Sequence, residues 1–178
     1  MAKFPEEGQK APVFSLEDQD GKKVNLGDFL GKEVLVYFYP KDDTPGCTKE
    51  ACSIRDNWQG FAAKGVQVLG ISRDDGASHQ KFRKKYNLPF PLLSDPDASV
   101  MKAYGAWGEK NMYGKISEGV IRSSFLIGAD GTIKKVWKKV KTESHGADVL
   151  GGIVERSRAT ASLPGHSYVG VARNSRAK

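Results

Sequence analysis

Apolar and polar positions along the chain fall into short blocks whose spacing alternates between two residues and three to four. Val13, Phe14 and Leu16, then Val24 and Leu26, flank the turn-forming run Asp18-Gln19-Asp20-Gly21, which predicts a hairpin over residues 14–26. Residues 33–39, Glu33-Val34-Leu35-Val36-Tyr37-Phe38-Tyr39, are a β-branched and aromatic run ended by Pro40, the pattern of a central strand buried on both faces. The spacing then lengthens: Ala51, Ile54, Trp58 and Phe61 recur at helical intervals, with Thr44 as a good N-cap, Pro45 at the favoured first helical position and Gly65 closing the helix. A second buried strand is expected over 66–71, a polar-faced helix over 77–86 stopped before Pro89, and a short strand at Leu92-Leu93. A helix over 97–104 follows, then a strand over 122–128, a turn at Ala129-Asp130-Gly131, a return strand over 132–140 and a last helix starting near Ser144.

This order predicts an α/β protein with a thioredoxin-like architecture: a mixed central sheet flanked by helices, with an added N-terminal β-hairpin. The 178 residues suit one domain, expected over 1–154, followed by a basic and flexible tail over 155–178. The longest apolar run is far too short to span a bilayer, and residues 1–7 offer no signal-peptide stretch. The expectation is therefore a cytoplasmic protein without a membrane partner.

Charge changes this picture little. The formal net charge is +7, but Arg156, Arg158, Arg173, Arg176 and Lys178 against Glu155 place +4 of it in the tail. Lys134, Lys135, Lys138, Lys139 and Lys141 flank Val136, Trp137 and Val140 as a solvated, edge-protecting face rather than a nucleic-acid patch.

The candidate chemistry lies in the two cysteines, Cys47 and Cys52. With His79, His145 and His166 distant in sequence, they do not make a metal site. A reducing compartment argues against a permanent disulfide, which leaves catalytic, redox-active or incidental roles. A thiolate is the reactive form, and an ordinary cysteine, with a pKa of about 8.5, is mostly protonated at neutral pH. With Thr44 as N-cap, Cys47 becomes the third helical residue, where unpaired N–H groups and the helix dipole favour negative charge. Gly46 removes a side chain beside the sulfur, the Thr44 hydroxyl is placed to orient a peroxide oxygen or donate to the thiolate, and Pro40 limits solvent access.

On a regular helix, positions 47 and 52 differ by about 7.5 Å of rise and ~140° of rotation, so their Cα atoms lie roughly 8.6 Å apart. That exceeds the ~7 Å reach of a disulfide. A Cys47–Cys52 bond therefore requires the first turns to unwind, and Gly46 eases the fraying. Cys52 beside Ala51 also fits a small buried hydrophobe, so the residues alone leave its role open.

The stretch from Pro40 to Cys47, Pro40-Lys41-Asp42-Asp43-Thr44-Pro45-Gly46-Cys47, matches the peroxiredoxin signature of proline, three residues, threonine, two residues, cysteine. Residues 37–52, the run Tyr104-Gly105-Ala106-Trp107-Gly108-Glu109-Lys110, Tyr113-Gly114-Lys115 and residues 122–127 resemble the Q-type peroxiredoxins, also called bacterioferritin comigratory proteins. The resemblance runs from about Phe4 to Val154. It implies a thiol peroxidase that needs no cofactor and no metal, with Cys47 as the peroxidatic cysteine and Cys52 as the resolving cysteine of an intramolecular disulfide. It further implies that Thr44 bonds peroxide, Pro40 shields the pocket, Arg122 stabilises the thiolate and departing oxygen, and Glu50 helps hold the arginine. The implied substrates are hydrogen peroxide and alkyl hydroperoxides, the implied reductant is thioredoxin or a glutaredoxin-like dithiol protein, and the implied state is a monomer. Two other functions stay open: a protein disulfide oxidoreductase, whose usual cysteine spacing is two residues rather than four, and a redox-regulated binding protein acting through the basic tail.

Overall fold

The structure is a computed structural model that describes residues 4–161. Seven strands form one mixed sheet: β1 (Ser15–Glu17), β2 (Lys23–Asn25), β3 (Val34–Phe38), β4 (Gln67–Ser72), β5 (Leu92–Ser94), β8 (Ser123–Ile127) and β9 (Ile133–Trp137), in the spatial order β2-β1-β5-β4-β3-β8-β9. The helices are α1 (Pro45–Asp56), α2 (Trp58–Ala63), α3 (Gly76–Tyr86), α4 (Ser99–Ala103) and α5 (His145–Ala161). β3 and β4 are parallel, as are β4 and β5, whereas β8 runs antiparallel to β3. The expected mixed sheet, flanking helices and N-terminal hairpin are all present.

β3 shows why an unbroken apolar run belongs in the middle. All five residues are buried, and alternate side chains enter two different cores. Val34, Val36 and Phe38 pack with Met101, Tyr104 and Phe125 on one face. Leu35 and Tyr37 pack with Ala51, Ile54, Phe61, Phe82 and Val149 on the other, which brings α1, α2, α3 and α5 to that side. The lysine-bearing strand β9 closes one edge of the sheet, with Lys135 Nζ 5.1 Å from the centre of the Trp137 ring.

Three features differ from the expectations. The single helix between Thr44 and Gly65 is two helices broken at Asn57, whose side chain turns back to donate to the Ser53 carbonyl (2.8 Å) and competes with regular helix bonding. The helix expected from Asp97 begins at Ser99, after Ala98 takes a left-handed conformation (φ 58°). A hairpin of β6 (Trp107–Met112) and β7 (Lys115–Val120) was not anticipated. It forms a separate two-stranded sheet, and its charged, glycine-containing strands lack the alternation that marks a half-buried strand. The expected domain boundary at 154/155 falls inside α5, and residues 162–178 of the expected tail lie outside the described residues. Among the described residues no helix is long and apolar enough to cross a membrane.

Candidate active site

The sheet register assembles the site. Phe38, the last residue of β3, pairs with Ser123, the first of β8, so the residue preceding Ser123 lies beside the loop that leaves β3 at Pro40. That residue is Arg122, and it reaches the first turn of α1 across 75 positions of sequence. Its Nη2 donates to Cys47 Sγ at 3.2 Å, and its Nη1 donates to Glu50 Oε2. Cys47 is 2% exposed and Glu50 fully buried, and both take their hydrogen bond from the one guanidinium. Glu50 stands three residues after Cys47, just under one helical turn, which puts both side chains on the Arg122 side of α1.

Glu50 bears the electrostatic cost. Burial raises its carboxyl to about 7 against the pull of Arg122, and its Oε1 has no hydrogen-bond partner among the described residues. The Tyr37 hydroxyl, buried below, is likewise without one, and burial followed by the charges of Glu50 and Cys47 pushes its ionisation well above the usual range. Arg122 is held in its charged form by Glu50 and Cys47 against the opposing effect of burial.

Thr44 is the N-cap of α1 by position, and its carbonyl accepts the first helical bond from the Thr48 N–H (2.8 Å). Its side chain makes no capping bond. The hydroxyl donates to the Lys41 carbonyl at 2.8 Å, so its hydrogen is committed and its oxygen is left to accept; the expected donation to the sulfur does not occur. Cys47 is the third residue of α1, as expected. A Cβ on Gly46 would stand 3.2 Å from Arg122 Nη2, so this glycine makes room for the guanidinium as well as for substrate. Cys52 is half-buried on a continuous stretch of α1, both cysteines are free, and burial pushes the Cys52 thiol up. The roughly 8.6 Å helical separation therefore applies to this conformation.

Comparison with known proteins shows the family. The AhpC/TSA family profile matches residues 7–136. The chain belongs to the AhpC/TSA family. It is 53% identical over 146 residues to a putative peroxiredoxin Bcp of Coxiella burnetii, covering 82% of this chain and 97% of that one. The peroxiredoxin Bcp of Escherichia coli K12 is 51% identical over 150 residues, covering 84% and 96%. Among solved structures, the bacterioferritin comigratory protein of Xanthomonas campestris superposes with a TM-score of 0.76 at 37% identity, over 81% of this chain and 92% of that one. The Xylella fastidiosa PrxQ gives 0.77 at 32% identity, over 86% and 99%. This chain is a Q-type peroxiredoxin, an enzyme with thiol peroxidase activity.

The peroxiredoxin site also contains groups that its sequence did not single out. Lys110, on the unforeseen hairpin, lies half-buried with its stem over Gly119; burial and Arg122 push its ammonium down while the Cys47 sulfur pulls it up. On the same face of the sheet as Cys47, Ser124 Oγ and His145 Nε2 are 2.7 Å apart, and burial drives His145 down to about 4. Under the Pro40 loop, Asp42 meets His79 with 2.7 Å between Oδ2 and Nδ1. The signal for this last pair was present as an acid in the signature loop and a histidine on an otherwise polar helix, but pairing across 37 residues cannot be read from either alone.

Proposed function

We propose that Cys47 reduces hydrogen peroxide and alkyl hydroperoxides and that Cys52 resolves the product as an intramolecular disulfide. The observation that carries this reading is the Arg122 guanidinium, 3.2 Å from Cys47 Sγ and backed by buried Glu50. The Cys47 thiolate attacks the terminal peroxide oxygen, the O–O bond breaks, and Cys47 becomes a sulfenic acid while the departing alkoxide or hydroxide takes up a proton. Arg122 stabilises charge on sulfur and on the departing oxygen with a preorganised donor. The Thr44 oxygen, its own hydrogen engaged by Lys41, accepts the peroxide O–H, and Pro40 shields the pocket.

The second step requires motion. The first turns of α1 unwind, Cys52 attacks the Cys47 sulfur, the S–O bond breaks and water leaves. An external dithiol, thioredoxin or a glutaredoxin-like protein, then reduces the disulfide by exchange. The reading includes a cytoplasmic monomer in which the basic 155–178 stretch takes no part in the chemistry.

The test is peroxide consumption coupled to thioredoxin and thioredoxin reductase, with wild type, Cys47→Ser and Cys52→Ser. Turnover lost in both variants, with one sulfenic acid still formed in Cys52→Ser, supports the two-cysteine cycle. Normal recycling by Cys52→Ser refutes the resolving role, and peroxide consumption independent of Cys47 refutes the whole mechanism.

A further inference from the structure

The signature loop between β3 and α1 is fastened to α3 by a buried polar cluster that the peroxidase chemistry does not use. Asp42 is its hub. Its Oδ1 accepts from the Tyr39 hydroxyl (2.5 Å), and its Oδ2 accepts from the Ser78 hydroxyl (2.8 Å) and faces His79 Nδ1 (2.7 Å). The Asp42 N–H donates to Asp74 Oδ2 (2.8 Å), which also accepts from the Ser72 hydroxyl (2.7 Å) at the end of β4. His79 is fully buried, and its Nε2 lies 3.1 Å from the Leu93 carbonyl oxygen on β5. A carbonyl only accepts, so Nε2 carries hydrogen, and the hydrogen shared between Nδ1 and Asp42 completes both sides of the ring.

The next residue adds a second tie. Asp43 adopts a left-handed conformation (φ 56°), and its carboxylate takes Lys85 Nζ (2.8 Å) and the Tyr86 hydroxyl (2.9 Å) at the far end of α3. The loop is thus fixed at both ends of one helix, while the first turn of α1 is joined to it by the Thr48–Thr44 backbone bond. Pro40 and Thr44 sit on the fastened side of that joint and Cys47 on the other.

We propose that Asp42 and His79 are positioning residues that latch loop 40–44 to α3, so that the peroxide-facing half of the site stays assembled while α1 unwinds and carries Cys47 to Cys52. The inference rests on the reading that these two cysteines close a disulfide. A latched loop gives the returning helix a fixed Thr44 from which to rewind, and a buried, fully bonded polar cluster holds one geometry where an exposed loop would sample many.

Hydrogen exchange on the reduced and disulfide forms of the full chain tests this at two amides. The Thr48 N–H should lose protection on oxidation while the Asp42 N–H keeps it. Loss of protection at both would overturn the latch and leave the disulfide mechanism standing; protection retained at both would overturn the unwinding and the latch together. Asp42→Asn, made in the Cys52→Ser chain, supplies a measurement that needs no disulfide: the second-order rate of Cys47 oxidation should fall about tenfold. With Cys52 present, closure of the disulfide from the sulfenic acid should not slow. General loosening of the fold does not produce that split, and an unchanged Cys47 oxidation rate in Asp42→Asn would overturn the proposal.

Discussion

Gly46 and Arg122 compete for one volume: a Cβ at position 46 would lie 3.2 Å from Arg122 Nη2, the nitrogen that bonds Cys47 Sγ. The backbone at Gly46 does not demand glycine, since its φ is not among the positive ones. Gly46→Ala should therefore hold stability or raise it by up to about 1 kcal/mol through helix propensity. Its rate of peroxide reaction should fall about tenfold as the guanidinium is displaced. Thermal unfolding and stopped-flow oxidation of Cys47 read the two effects separately. An unchanged rate would mean that the guanidinium accommodates the methyl group without leaving the sulfur.

Arg122→Met removes the donor and strands Glu50. Loss of a preorganised donor to developing negative charge should lower the second-order rate with peroxide by about 10²–10³-fold. The stability cost has a ceiling of about 3–5 kcal/mol for breaking a buried pair, and it should fall short of that because Glu50, raised to about 7, escapes by taking up a proton. Peroxide kinetics with urea titrations at two pH values check both parts. A rate within a factor of three of wild type would remove Arg122 from the mechanism.

Glu50 and His145 should give stability opposite slopes against pH. Glu50 rises from 4.5 unfolded to about 7 folded, so its contribution is full below about pH 4.5 and is lost as pH rises through about 7. His145 falls from 6.5 unfolded to about 4 folded, so its contribution is present above about pH 6.5 and is lost as pH falls through about 4. Between about pH 4.5 and 6.5 the two oppose each other, each with a slope of up to about 1.4 kcal/mol per pH unit. Relative to wild type, Glu50→Gln should become more stable with rising pH in that window and His145→Gln less stable. Urea midpoints across the window measure the slopes, and changes of the same sign in both variants would contradict this assignment.

Ser53 joins α1 to α5. The Gly146 N–H donates to its buried Oγ at 2.9 Å, and a Cβ on Gly146 would stand 2.2 Å from the Ser53 carbonyl oxygen. Ser53→Ala leaves a buried donor unpaired and should cost about 1–3 kcal/mol in a urea titration. Gly146→Ala, which forces two backbones apart, should cost more than Ser53→Ala; the reverse order would mean that α5 shifts freely on α1.

The strands of the main sheet and the cysteine-bearing helix were legible along the chain because each rests on local signals: the apolar run of β3, the turn before β9, and Thr44-Pro45 ahead of α1. The β6–β7 hairpin was not, because Glu109, Lys110, Lys115 and Glu118 leave it without an apolar face from which its period could be read. At the site, the position of Cys47 followed from counting along one helix. The placement of Arg122 against Cys47 required either the family resemblance or the β3–β8 register, and Asp42–His79 depended on how α3 lies under the loop. Thr44 shows a further limit, since a side chain suited to capping bonds the Lys41 carbonyl instead.

The β6–β7 ribbon stands apart from the main sheet, so among the described residues neither of its strands pairs with a third strand. Glu109 and Glu118 face each other across it, both exposed, and like charges directly opposite weaken pairing. A strand added from a second copy in matching register would bring another carboxylate into that row. The same charges that hid this hairpin from its sequence pattern thus guard it against edge-to-edge aggregation.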